Sequence, residues 1–525
     1  MHYLVPVENH WDYIMKTTLI RLPFFLLPII SLFAATLSPV GQWNTGVFDE
    51  GAAEIVQFNP ETNRLFIVNG DIAGVDVVDI SDPTTPTKLF SITVEDFGSS
   101  VQSVAVFGNL VALAVSADPA TAPGWVAFYN TDGLFLNKVQ VGSLPDMVTF
   151  SPDGSLVLTA NEGEPSDDYS VDPTGSISII QLGADFPSTS ATVTTLDFTS
   201  YDGQEIPGSH PGNPASSLSQ NLEPEYIAVA PNGKMALVTI QESNAVALID
   251  LAKMEITSLV GLGYKDHSKF PLDASDKDDA INIRNWPVLG LYQPDSVVAF
   301  EIGGETYFAI ANEGDARDYD GWSEEVRVED LTLDPDIFPN ADELQDKTNL
   351  GRLKTTTAAG DIDGDGDHDK IFSYGGRSFS ILDSTGTMIF DSGSELEEKL
   401  AAELPENFNS NNDENDSFDK RSDDKGPEPE AITFANVNGI PLLFVGMERV
   451  GGIVVYDLTD PTDPEWLTYS TTRDFSGNAE KGTAGDLGPE GIIVISAEDS
   501  PTGLPLLVVA NEVSGTVTLF EISTE

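Results

Sequence analysis

Short apolar runs of alternating period recur along this chain, and seven of them close on a carboxylate. They read RLFIVNGD (Arg64 to Asp71), LVALAVSAD (Leu110 to Asp118), LVLTANE (Leu156 to Glu162), ALVTIQE (Ala236 to Glu242), YFAIANE (Tyr307 to Glu313), LLFVGME (Leu442 to Glu448) and LLVVANE (Leu506 to Glu512). An apolar strand stands before each of them. A glycine-led or polar-led alternating strand follows, as in GVDVVDI from Gly74, GSISIIQL from Gly175 or GTVTLFEI from Gly515. Alternation of period two, rich in β-branched and aromatic residues, predicts half-buried strands. The tetrapeptides SPDG (Ser151 to Gly154) and APNG (Ala230 to Gly233) predict hairpin turns.

Repeats of roughly 40 to 50 residues, stretched here by insertions, mark propeller blades, because one blade cannot bury both of its faces alone. The expected fold is all-β: a seven-bladed β-propeller over 39–525, preceded by a leader and signal peptide over 1–38. The last phrase runs to Glu525 with no outer strand, while a spare strand, VGQWNTGVF (Val40 to Phe48), precedes the first blade. Its expected place is beside the last blade, closing the ring and covering a sheet edge. Two stacked sandwiches are the rival arrangement, and the unbroken series of phrases argues against them. Insertions at about 264–294, 314–360 and 395–428 are expected as long loops on one face. Within the last of these, the polar stretch from Glu406 to Glu430 reads as a mobile loop.

Charge narrows the partners. With 85 acids against 25 bases the formal charge is −60, which argues against nucleic acid and anionic membranes and in favour of cations. Much of that charge serves only to keep an exported protein soluble. The segment from Met15, MKTTLIRLPFFLLPIISLFAATLS, reads as a secretory signal cut near Ala35 or Ser38, after which no stable membrane span is left. A retained anchor is the competing reading, although the run from Leu22 to Leu37 is short for a bilayer. Export without a single cysteine points to a secreted or periplasmic protein and excludes thiolate catalysis and Cys-ligated metals. Histidine is also scarce, so oxygen ligands remain.

The sharpest local motif is DIDGDGDHD, Asp361 to Asp369. Asp361, Asp363, Asp365 and Asp369 occupy the first, third, fifth and ninth positions, with Gly366 at the sixth, as in Ca²⁺ loops of the EF-hand and dockerin type. The twelfth position, normally a bidentate Glu, is Phe372, so a differently completed site is expected, with Asp367 adding its backbone carbonyl. An acidic turn is the bland alternative. A second candidate is LDASDKDD, with Asp273, Asp276 and Asp278, whose spacing fits no standard loop and equally suits a solvated insertion.

The repeats suggest a larger cluster. Acids open the first strands and close the second ones: Glu54 with Asp71, Asp146 with Glu162, Glu225 with Glu242, Asp295 with Glu313, Glu430 with Glu448 and Glu490 with Glu512. The remaining repeat offers Gln102 with Asp118. Such a ring of carboxylates at one mouth of a channel calls for cations or arginines among them. The structural alternative is that these acids brace turns through backbone N–H groups. Arg317, Arg377 and Arg449 fall in comparable loop regions and are candidate counter-charges.

Taken together, TGVFDEGAAEIV (Thr45 to Val56), LTANEGEPSDDY (Leu158 to Tyr169), LEPEYIAV (Leu222 to Val229), LDASDKDDAINI (Leu272 to Ile283), ANEGDARDYDGW (Ala311 to Trp322), DIDGDGDHDKIFSYGGRSFSI (Asp361 to Ile381) and GPEGI (Gly488 to Ile492) resemble the choice-of-anchor I family. That family comprises exported bacterial propeller-like proteins related to mesenchyme-specific cell surface glycoproteins of biomineralising animals. The resemblance implies an exported, calcium-associated propeller, and some relatives carry alkaline phosphatase labels. Two functions follow as expectations. One is a secreted calcium-binding propeller that acts as a binding or surface-associated module, engaging calcium ions and an extracellular surface. The other is a calcium-dependent phosphoester hydrolase acting on a phosphorylated small molecule, with Glu162, Glu313, Arg317, Glu430 and Glu490 as its catalytic candidates.

Overall fold

Seven antiparallel sheets of four strands each realise the repeated phrase and add an outer strand to it. In the third sheet the strands are Pro145–Phe150, Leu156–Asn161, Ser176–Gln181 and Thr192–Asp197, paired in chain order. The sixth repeats the plan with Pro429–Val437, Ile440–Met447, Ile453–Asp457 and Glu465–Ser470. The structure, a computed structural model, describes residues 34–524, so most of the expected signal peptide lies outside the described residues. Among the described residues no helix is long and apolar enough to cross a membrane.

The fold is all-β, and up-and-down sheets whose first strands pack against one another are the building plan of a β-propeller. Alternation places the core between sheets. Leu158 and Ile177 of the third sheet meet Ile227, Val238 and Ala247 of the fourth, and Phe300 and Ile381 of the fifth meet Ile432, Val445 and Tyr456 of the sixth. Both expected hairpin turns form. Gly154 and Gly233 adopt φ of 69° and 67° and donate to Ser151 and Ala230 at 2.8 Å, a backbone shape that glycine takes without a Cβ penalty.

The N-terminal strand, Ala35–Asn44, pairs antiparallel with the C-terminal strand Thr516–Thr524, from Ala35 opposite Thr524 to Asn44 opposite Thr516. It begins five residues before the expected strand and ends four before it, because a register shift between Pro39 and Gly41 lets the pairing continue past the proline. Beyond Asn44 the chain turns inward, held by Thr45 on Gly515 and Asp49 on Val513. Both expected cleavage points, Ala35 and Ser38, fall in this strand.

The insertions correct the expectation of long loops. Residues 264–294 and 314–360 contribute to a five-stranded mixed sheet, in which Val288–Leu291 runs parallel to Ile371–Ser373. It has a core of its own, made by Leu272, Trp286, Val328, Phe338, Leu350 and Ile371. The stretch read as a mobile loop is packed as well. Asn409, Asn412, Ser422 and Glu428 are buried, and the Arg377 guanidinium donates to the carbonyls of Ser422 and Asp424 at 2.8 Å. Composition suggested disorder; side-chain-to-backbone bonds replace the missing apolar contacts.

Candidate metal centre

A β-bulge sets the first acid of most repeats. Pairing of first and second strands skips between Pro145 and Val148, Pro224 and Ile227, Pro429 and Ile432, and Pro489 and Gly491. The skipped residues include Asp146, Glu225, Glu430 and Glu490. In the second sheet the same shift, between Val101 and Ser103, holds Gln102. A bulge inserts an unpaired residue and re-aims its side chain, and a leading proline suits it because a proline N–H is not there to be paired. Here the re-aimed side chains converge on a central cavity of about 150 Å³, lined by Gln102, Asp146, Glu225, Asp295, Glu313, Glu430 and Glu490.

Two groups of three acids form around this cavity. In Asp146, Glu162 and Glu225, and again in Asp295, Glu313 and Glu430, one oxygen from each residue lies within 4.8 Å of the others. Burial pushes Asp146 up to about 7, with repulsion from Glu164 adding to it. Glu162, Glu225, Asp295, Glu430 and Glu490 are driven well above the usual carboxylate range, first by burial and then by one another. Glu225, Glu430 and Glu490 each keep one sealed carboxylate oxygen with no hydrogen-bond partner among the described residues.

A third group, Glu313, Glu428 and Glu448, is built differently. Lys425 reaches Glu313 at 2.5 Å and Glu428 at 3.3 Å, Arg421 reaches Glu428 at 2.7 Å, and Arg449 reaches Glu428 at 2.9 Å and Glu448 at 3.1 Å. Burial works against ionising Glu428, but these three bases outweigh it and hold the carboxyl down at about 2. Lys425, Arg421 and Glu428 all come from the stretch expected to be mobile. Sequence reasoning missed them, although three bases between Lys420 and Lys425 in so acidic a chain were a signal.

The family model for the choice-of-anchor I domain matches residues 54–461, which takes in these groups. The chain belongs to that family. Gigasin-3a of Magallana gigas is 38% identical over 190 residues, 34% of this chain and 66% of that protein. Mesenchyme-specific cell surface glycoprotein of Strongylocentrotus purpuratus is 26% identical over 294 residues, 49% of this chain and 37% of that protein. The chain thus spans less than two thirds of either relative. Among solved structures, hydrazine synthase of Kuenenia stuttgartiensis superposes at 12% identity with a TM-score of 0.48, covering 91% of this chain and 99% of that one. The Cps50 (Swd1) β-propeller domain of Myceliophteria thermophila does so at 9% identity and 0.43, covering 93% and 100%. Family and cell-surface relative together fit a surface-associated module.

Within this choice-of-anchor I domain the expected acids divide. Glu313, Glu430 and Glu490 line the cavity and Glu162 stands beside it, whereas Asp71 and Asp118 are exposed, so the first two sheets contribute no second acid. Asn161 and Asn312, which precede Glu162 and Glu313, brace the neighbouring strand through Ser176, Ser178, Ser378 and Ser380. The bracing role of the NE phrase belongs to its asparagine. Arg317 does not face the cavity. It is buried against Glu223 at 2.7 Å and the Asn221 carbonyl at 2.7 Å, while Arg377 pairs with Glu397 at 2.8 Å, far from the acids of the mouth in the bonding network. Of the three expected arginines only Arg449 forms an ion pair with an acid of the expected ring, Glu448, while Arg317 acts on Glu242 through its field alone.

The acidic loop also splits. Asp361, Asp363 and Asp365 are exposed and close together, and Asp361 accepts from the Gly364 and Gly366 amides at 2.7 and 3.1 Å. Asp367 and Asp369 instead join Asp334, which a bridge between Leu333 and His368 brings alongside. Phe372 is buried in a strand and supplies no ligand. Asp273, Asp276 and Asp278 do not converge. Asp273 accepts the Asn282 amide and is pushed by burial up to about 7, Asp276 pairs with Lys277 and Arg352, and Asp278 accepts from the Asn282 side chain at 2.9 Å.

Proposed function

We propose that this domain is a calcium-binding module of an exported, surface-associated protein, and that its seven sheets are the blades of a ring closed by the N-terminal strand. Contact between the first strands of the seventh and first sheets supports that ring. So does a core in which Val508 and Leu519 of one meet Leu65 and Val78 of the other. The observation that carries the calcium reading is the pair of base-poor acid groups, Asp146, Glu162, Glu225 and Asp295, Glu313, Glu430, with sealed, unpartnered oxygens at Glu225, Glu430 and Glu490 among the described residues. Lys425, on Glu313, is the one base that touches either group. Buried carboxylates left unneutralised are costly, and a hard divalent cation with oxygen ligands relieves them. Asp361, Asp363 and Asp365 form a second, exposed calcium site in this reading, without the usual twelfth ligand.

A calcium-dependent phosphoester hydrolase is the second reading. Lys425 favours it by joining Glu313, of the Asp295, Glu313, Glu430 group, to a neighbouring cavity lined by further bases. One experiment addresses both. Chelator-treated protein is titrated with Ca²⁺ by calorimetry, and p-nitrophenyl phosphate turnover is followed in parallel. Saturable uptake that falls by at least one ion in Glu225→Gln, with the unfolding curve retained, supports the channel site. Uptake unchanged in Glu225→Gln and Glu430→Gln refutes it, and absence of turnover in the calcium-loaded protein refutes the hydrolase.

A further inference from the structure

Beside the acidic channel lies a cavity of opposite character, about 230 Å³ in volume, whose walls include Lys354, Arg421, Lys425 and Arg449. Four bases face three acids there, Asp315, Glu325 and Asp424, in a chain that carries 25 bases to 85 acids. Carboxylates of the chain, Glu428, Glu313, Glu448, Glu325 and Asp424, pair with these bases, and what they leave over is guanidinium N–H donors without an acceptor among the described residues.

We propose that this cavity binds a compact oxyanion, specifically the phosphoryl group of a small phosphate ester. The choice of phosphate among oxyanions rests on the hydrolase reading above, but binding itself requires neither hydrolysis nor calcium. The donors are in place. Glu428 takes Arg421 through Nε and Nη2 and Arg449 through Nε, and Arg449 Nη1 donates to Asn412 at 3.1 Å. Arg421 Nη1 and Arg449 Nη2 have no protein acceptor among the described residues, and neither is among the sealed polar atoms. Paired guanidinium N–H groups match the oxygens of a phosphoryl group. The carboxylates fix the bases rather than compete for these last donors: Glu428 orients Arg421, Lys425 and Arg449, while Glu325 at 2.8 Å and Asp424 at 3.2 Å orient Lys354. Because Lys425 also holds Glu313, an anion here sits one side chain away from the Asp295, Glu313, Glu430 group.

The test is a ³¹P NMR and calorimetric titration of the full chain with inorganic phosphate and with phenyl phosphate, in chelator and again in Ca²⁺. Acetate serves as control. Saturable phosphate binding in chelator that weakens about ten-fold in Arg449→Gln, with an unchanged unfolding curve, supports the proposal. Should Arg449→Gln fail to fold, Lys354→Gln, which pairs with Glu325 and Asp424 and does not touch Glu428, is expected to weaken binding about three-fold. Tighter binding of phenyl phosphate than of phosphate identifies an ester as the ligand; the reverse identifies the free ion and overturns the ester. Binding seen only with Ca²⁺ and indifferent to both variants puts the anion on the metal and overturns the pocket while leaving the calcium reading intact. No saturable binding in either condition overturns it outright.

Discussion

Two buried carboxylate groups in this molecule, Glu313 with Glu428 and Glu448 and Asp146 with Glu162 and Glu225, have opposite electrostatic fates. Around Glu428 three bases converge, and the carboxyl is held at about 2. Around Glu225, in the group of Asp146 and Glu162, every neighbouring charge is negative and the carboxyl is forced far upward. Burial is the same in kind at both. What differs is the source of the neutralising charge. The chain supplies it at Glu428 from an insertion that folds over the mouth, and leaves it to a ligand or a proton at Glu225. Acidic clustering alone is therefore weak support for a metal site, and the calcium proposal rests on the cluster that no base answers.

The comparison breaks most sharply at Glu428. Replacing it by Gln removes the carboxylate that Lys425, Arg421 and Arg449 share and leaves each with a single carboxylate partner, Glu313, Asp424 and Glu448, so a loss of about 3 kcal/mol is expected in urea unfolding. An unchanged midpoint would mean that these bases relax into solvent and that the site is not built as described.

A second, smaller effect separates the groups by pH. Asp146 at about 7 and the strongly raised Glu162, Glu225, Asp295, Glu430 and Glu490 lie above their unfolded values. Their contribution to stability is full below the unfolded carboxylate range and is lost as pH rises through the folded values. Chelated protein is thus expected to lose several kcal/mol between about pH 4.5 and pH 8, and Ca²⁺ to restore it by binding the ionised form. Thermal melts at stepped pH, with and without Ca²⁺, measure this; a flat profile in chelator contradicts it.

The smallest effect belongs to the exposed loop. In Asp361→Asn with Asp363→Asn, mutual repulsion is relieved in a solvated place, so stability is expected to stay within about 0.5 kcal/mol while one weakly held calcium disappears. Metal content by mass spectrometry beside a melting curve checks both halves. Equal losses of metal from this variant and from Glu225→Gln would erase the distinction between exposed and buried sites.

Strand periodicity made the second and third strands of every repeat legible, and the acids that begin and end them, because alternation and turn chemistry are local. The bulges were not legible as such. Pro-Glu reads equally as a turn, and only the skipped register at Glu225, Glu430 and Glu490 shows the side chains turned inward. Residues 406–428 were misread for a different reason. Their order comes from partners distant in sequence, such as Asn412 on Glu448 and Arg377 on Ser422, and composition does not encode such partners. Arg317 was misassigned likewise, because its partner Glu223 lies in another insertion-bearing repeat.

The pairing of Ala35–Asn44 with Thr516–Thr524 has a consequence for biosynthesis. Ala35–Asn44 is made long before its partner Thr516–Thr524, a separation that makes this the most non-local strand pairing among the described residues and a slow one to form. Five sheets can assemble from strands that follow one another in the chain and a sixth across the insertion between Glu305–Asn312 and Ser378–Asp383, while the seventh waits with Pro489–Ile495, Leu506–Asn511 and Thr516–Thr524 in hand and one edge bare. Until then the early strand is an unpaired edge-seeker of the kind that chaperones hold and proteases trim, so a chain stopped short of Thr516 betrays itself by a bare strand nearly five hundred positions away.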